Sequence, residues 1–71
     1  MKLIEKIFLE NRGLKTKLAK KIERTVSNIN LILKNDNITI NVKIKWTLGI
    51  NEILLTSYTW QDLFSEIEEN D

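Results

Sequence analysis

The sequence predicts an α+β fold for the whole chain, residues 1–71, as one small domain. Three observations support this class: apolar residues recur at helical spacing up to residue 33, residues 38–48 alternate with a period of two, and a helix start follows residue 58. The predicted architecture is an N-terminal helical region, a β-hairpin and a C-terminal helix packed on one face of the sheet.

The first segment has the pattern of a short amphipathic helix. Leu3, Ile4, Ile7 and Phe8 fall on one helical face. Gly13 follows as a helix stop, because glycine adopts the left-handed conformation readily.

The next segment, residues 14–33, also has a helical period. We favour one long, bent helix here. Two helices broken within residues 23–27 fit as well, because several residues there are mediocre helix formers. The apolar positions that define the period are Leu14, Leu18, Ile22, Ile29 and Leu33.

Residues 38–48 alternate strictly between apolar and polar side chains and are rich in β-branched residues, which predicts a strand with one buried face. Residues 49–52 then form the predicted turn and residues 53–59 the returning strand, although the spacing of Ile50, Ile53 and Leu54 also fits a helix. Trp46, on the apolar face, is expected in the core.

The last helix is marked by a capping box, with Thr59 as N-cap and Asp62 three residues later. An apolar stripe follows, and the acidic residues 66–71 are expected to fray because they oppose the helix dipole. The stripe consists of Trp60, Leu63, Phe64 and Ile67.

The composition argues against catalysis. The chain has no cysteine and no histidine, so the usual nucleophile–base pairs and zinc sites cannot be built, and we expect no enzyme activity, cofactor or metal. Glu5, Lys6 and Glu10 interrupt any signal-peptide core, and no apolar run reaches membrane-spanning length. These features predict a cytoplasmic protein that works by binding.

The charge distribution singles out residues 12–24, which hold six basic side chains against Glu23. On a single helix the bases share one face, which is typical of phosphate binding and equally of a solvated surface that pairs with the acidic tail. Leu31 falls among them as an exposed apolar residue. The predicted binding residues are Lys17, Lys20, Lys21, Arg24, Asn28 and Leu31.

Residues 18–22, Leu-Ala-Lys-Lys-Ile, with Ile29 and Ile32 downstream, resemble the helix-turn-helix of phage-repressor-type regulators. In that family a Leu-Ala pair opens the second helix, and the recognition helix follows a tight turn. This chain departs from the pattern at Glu23, where the turn glycine is usual, and at Arg24, where a small apolar residue packs the turn.

The predicted hairpin is a further departure from those all-helical repressors, although a winged-helix variant accommodates one. What the resemblance implies is a set of base contacts and a set of phosphate contacts. The base contacts would be Ser27, Asn28, Asn30 and Lys34, and the phosphate contacts Lys17, Lys20 and Lys21.

Two functions follow as hypotheses. The first is a small protein-binding accessory or inhibitor factor of the kind that phages and plasmids carry, suggested by the missing catalytic groups, the biased composition and the split between basic helix and acidic tail. The alternative is a small helix-turn-helix or winged-helix-like DNA-binding regulator that uses the basic helix 14–33. A homodimer that joins two hairpins into one sheet is the expected assembly.

Overall fold

The computed structural model describes residues 1–35 and 37–68, and this part of the chain is all-helical. The predicted α+β class is therefore wrong: the described residues contain five α-helices and no strand beyond one isolated bridge between Lys2 and Glu66. The helices are α1 (Leu3–Glu10), α2 (Leu14–Lys21), α3 (Val26–Leu33), α4 (Ile40–Leu54) and α5 (Trp60–Leu63).

Helix α1 confirms the first amphipathic segment, with Ile4, Ile7 and Phe8 buried. Gly13 has a φ of +85° between α1 and α2, the left-handed conformation expected of it. The favoured single helix over residues 14–33 is wrong, because the chain breaks at residues 22–25 and starts again as α3.

Helix α4 occupies the segment predicted as a β-strand, and the predicted turn at residues 49–52 lies inside it. Thr39 caps this helix by accepting a hydrogen bond from the amide of Val42. Side chains two residues apart in the alternating pattern fall on opposite sides of a helix, so every second apolar residue still reaches the core. Trp46 and Ile50 are buried in this way, whereas Leu48 is 64% exposed.

The predicted returning strand is the end of α4 followed by a loop. Leu55 ends the helix in the left-handed conformation. The side chain of Asn51 holds this loop, because it donates to the carbonyl oxygen of Tyr58 and accepts from the amide of Tyr58 and the hydroxyl of Thr56, each at 2.9 Å. Without a hairpin, the predicted dimer built on a joined sheet has no basis.

Helix α5 begins at the predicted place, since Thr59 accepts a hydrogen bond from the amide of Asp62 at 3.2 Å. It is a single turn and packs against α1 and α4, not on a sheet face. The chain after α5 is not helical up to Glu68, and the remainder of the acidic tail, residues 69–71, lies outside the described residues.

The core gathers residues from all five helices around Trp46, whose ring lies 6.2 Å from that of Phe64. Trp46 is 2% exposed, which confirms its predicted place. Helix α2 lies along α4 and also contacts α3, while α5 contacts both α4 and α1. Within the described ranges, no helix is long and apolar enough to cross a membrane.

Candidate nucleic-acid interface

A four-residue turn, residues 22–25, joins α2 to α3. The amide of Glu23 donates to the carbonyl oxygen of Lys20 at 3.3 Å, and the amide of Arg24 donates to that of Ala19 at 2.8 Å. This pair of bonds is a Schellman motif, which needs a left-handed residue directly after the helix. Glu23 is this left-handed residue, with a φ of +57°. Repressor-type helix-turn-helix motifs usually have glycine at this position.

The same turn also starts α3. The hydroxyl of Thr25 accepts a hydrogen bond of 3.0 Å from the amide of Asn28, so Thr25 is the N-cap. An N-cap of this kind satisfies an amide that the helix cannot pair internally. One helix thus ends and the next begins within four residues, and both ends are held by hydrogen bonds.

Helix α3 has one buried and one exposed face. Ile29 is fully buried, while the opposite face presents side chains that are all exposed. Leu31 is 68% exposed at the centre of this face, as the sequence predicted. The exposed residues, here called the α3 outer face, are Ser27, Asn30, Leu31 and Lys34.

The α3 outer face carries hydrogen-bonding groups and no acidic residue. One of them is already oriented: Lys15 of α2 donates to Oδ1 of Asn30 at 2.7 Å, while its ammonium lies 5.5 Å from the centre of the Phe8 ring. Lys15 therefore adds positive charge beside α3 and fixes the amide of Asn30. Lys15 is not among the binding residues predicted from the sequence, because a single helix over residues 14–33 would not bring it next to Asn30.

The predicted basic face does not persist as one surface. Lys17 lines a cleft with Ile53 and Leu54 of α4, and Lys21 forms an ion pair of 3.2 Å with Glu52 of α4. These two lysines lie on the side of α2 that meets α4. Lys20 is exposed and points away from the core.

Arg24 and Asn28 lie together in a different place, a cleft of about 230 Å³ between α3 and the first half of α4. Lys45 lines the same cleft, so two cations flank the start of α3. The Oδ1 atom of Asn28 is buried there without a hydrogen-bond partner among the described residues. A strand over residues 38–48 would place Lys45 on its polar face, and only the helical form of residues 40–54 brings it beside Arg24.

Charge around α3 is thus positive on two sides, from Lys15 on one and from Arg24 with Lys45 on the other. A helix with an exposed polar face and flanking cations has the chemistry to meet base edges and phosphates together. In comparisons with protein-family models, with curated proteins and with solved structures, no match to this chain was found.

Proposed function

We propose that this protein is a small DNA-binding regulator of the helix-turn-helix type, acting in the cytoplasm. The observation that carries the proposal is the α2–α3 unit: two eight-residue helices joined by a four-residue turn, with the acid-free outer face of α3 open to solvent. Helices joined by such a turn are the arrangement in which the second helix enters the major groove.

The chemistry of the α3 outer face suits base edges. Ser27 and Asn30 offer a hydroxyl and an amide, which can donate to and accept from bases in the major groove. Leu31 offers an apolar surface for the methyl group of thymine. Lys20 and Arg24, on α2 and in the turn, are the proposed phosphate contacts, since both are exposed beside α3.

Two departures from the repressor pattern bear on this proposal. The described residues are all-helical where the sequence predicted a hairpin, and a hairpin was at odds with such regulators. Glu23 adopts the left-handed conformation that glycine usually provides. Both observations support the proposed helix-turn-helix arrangement of residues 14–33.

Fluorescence anisotropy of a labelled mixed-sequence duplex tests the proposal at low and near-physiological salt. Binding that weakens steeply with salt is expected for the wild type, and a Lys20→Glu, Arg24→Glu variant should lose it. The matched control is Lys6→Glu with Arg12→Glu, which changes the net charge equally at exposed positions on α1 and before α2. Equal binding by both variants, or none by the wild type, would contradict the proposal.

A protein-binding accessory or inhibitor factor is the second candidate function. The observation that favours it is the exposure of Leu31, because removing an exposed apolar side chain from water stabilises a protein contact. This function would be favoured over DNA binding if the wild type binds no duplex but binds a protein from the lysate of a phage or plasmid host. The Leu31→Glu variant should then lose that protein.

A further inference from the structure

Helix α4 carries a second apolar face that the core does not use. Ile40, Ile44 and Leu48 are spaced four residues apart and are 54%, 39% and 64% exposed. They lie opposite Val42, Trp46 and Ile50, which face the core. Leu55, at the end of the helix, extends the row and is 90% exposed. These four exposed residues are called the α4 outer stripe.

The α4 outer stripe is larger than an isolated surface leucine. Its four side chains expose apolar area on the order of several hundred Å², a size at which patches on monomeric proteins commonly serve binding. A cleft of about 260 Å³ borders it, lined by Ile44, Leu48, Tyr58 and Trp60 among others. None of the three charged residues of α4, Lys43, Lys45 and Glu52, interrupts the stripe.

We propose that a second copy of this chain covers the α4 outer stripe, with the two α4 helices antiparallel about a twofold axis near Leu48. Charge complementarity selects this occupant. Lys45 precedes Leu48 by three residues and Glu52 follows it by four, both on the same edge of the stripe. Antiparallel pairing therefore places Lys45 of each copy beside Glu52 of the other, which is the reciprocal pairing that an isologous interface requires.

Glu52 is free to make this contact while it pairs with Lys21. Its side chain remains 70% exposed in that ion pair, so one carboxylate oxygen can meet a second lysine. The stripe is smaller than the roughly 800 Å² per partner of a standard stable interface. The dimer is therefore weak and depends on protein concentration. It adds stability to a folded chain of 71 residues whose own core is small.

Sedimentation equilibrium over a range of protein concentrations, without DNA, tests this proposal separately from the proposed function. The wild type should be a concentration-dependent dimer. Leu48→Glu should raise the dimer dissociation constant roughly 100-fold, because a buried, unpaired carboxylate is costly. Leu9→Glu, at a leucine of α1 that is 74% exposed, is the matched control and should leave the constant unchanged.

Exchange of the edge charges tests the orientation. Lys45→Glu should weaken the dimer. Adding Glu52→Lys together with Lys21→Glu should restore it, because the reciprocal pairs re-form with opposite signs and the pair between positions 21 and 52 of each chain is kept. Far-UV circular dichroism checks that each variant stays helical. A wild type that stays monomeric overturns the proposal and leaves the stripe to a different protein, and a dimer that survives Leu48→Glu or is not restored by the exchange overturns this interface.

Discussion

Gly49 and Leu18 bring α4 and α2 into direct contact: a Cβ atom at position 49 would lie 2.7 Å from Cδ1 of Leu18. Leu18 is fully buried, so its side chain has little room to move aside. Glycine inside a helix ordinarily lowers stability, but here it allows the close approach that holds the α2–α3 unit on α4.

Gly49→Ala should therefore lower the free energy of unfolding by about 1–3 kcal/mol, as overpacking does in a tight core. Helix propensity alone would raise it by about 1 kcal/mol, so the sign separates the two effects. Urea unfolding followed by circular dichroism measures the change. Asn41→Ala, at an exposed position of the same helix, is the control and should not destabilise the protein.

Glu23→Gly should make the protein more stable. An L-residue in the left-handed conformation costs roughly 1–2 kcal/mol, and the greater freedom of glycine in the unfolded chain offsets part of the relief. A net gain of about 0.5–1 kcal/mol is expected in denaturant unfolding. Glu23→Gln removes the same charge but keeps the strained backbone, so an equal gain from Gln would show that the charge and not the backbone matters.

Thr25→Ala should cost about 1 kcal/mol of stability, because the amide of Asn28 loses its acceptor at the start of α3. Thr25→Ser keeps an acceptor at the same place and should be nearly neutral. Thermal or urea unfolding of both variants measures the difference. If Ser and Ala destabilise equally, the hydroxyl does not cap α3.

The salt dependence of DNA binding should report on Lys20. If its ammonium neutralises one phosphate, Lys20→Ala lowers the slope of log affinity against log salt concentration by about 0.9. Anisotropy titrations at several salt concentrations give the slope. Lys6→Ala, on α1, should leave it unchanged, and an unchanged slope for Lys20→Ala would remove this residue from the phosphate contacts.

Leu31 should affect sequence preference more than general affinity. For a duplex selected from a random library, Leu31→Ala is expected to weaken binding roughly tenfold, about 1.4 kcal/mol, as an apolar contact with thymine is lost. Binding to mixed-sequence DNA should change little. Leu9→Ala is the control, and an equal loss on both duplexes would argue against base reading by Leu31.

The parts of the fold that sequence reasoning found are those with strong local signals. Apolar spacing located α1, and Thr59 marked the start of α5 by its capping chemistry. The exposure of Leu31 followed from its position on the helical wheel relative to the apolar residues of the same helix. The break at residues 22–25 does not change that position.

The break between α2 and α3 was predicted only as the alternative to one long helix, because Glu23 adopts a conformation that its residue type rarely signals. The grouping of the predicted binding residues differs from the single-helix prediction for the same reason. Because the chain turns at residue 23, Lys21 forms an ion pair with Glu52, whereas Arg24 lies in the cleft beside Lys45. The sequence identified the individual basic residues, but their grouping depended on a turn that was predicted only as an alternative.

The error over α4 has a different cause. A period of two is the pattern of a half-buried strand, and β-branched residues strengthen it. The same residues also suit a helix with two apolar faces, one against the core and one against a partner. Trp46 and Leu48 illustrate this division, since one is buried and the other exposed. Tertiary packing of the whole domain decides between strand and helix here, and the local sequence pattern does not predict that packing.

The alternation has a consequence for the unfolded chain. Residues 38–48 have the composition of a cross-β segment even though residues 40–48 fold as part of a helix, and the sequence contains no proline that would interrupt strand pairing. When α4 opens, Lys43 and Lys45 are the charges that oppose stacking of this segment into fibrils. We therefore expect each lysine to oppose aggregation of the unfolded protein, and replacing both with neutral residues should make the unfolded chain more prone to aggregate.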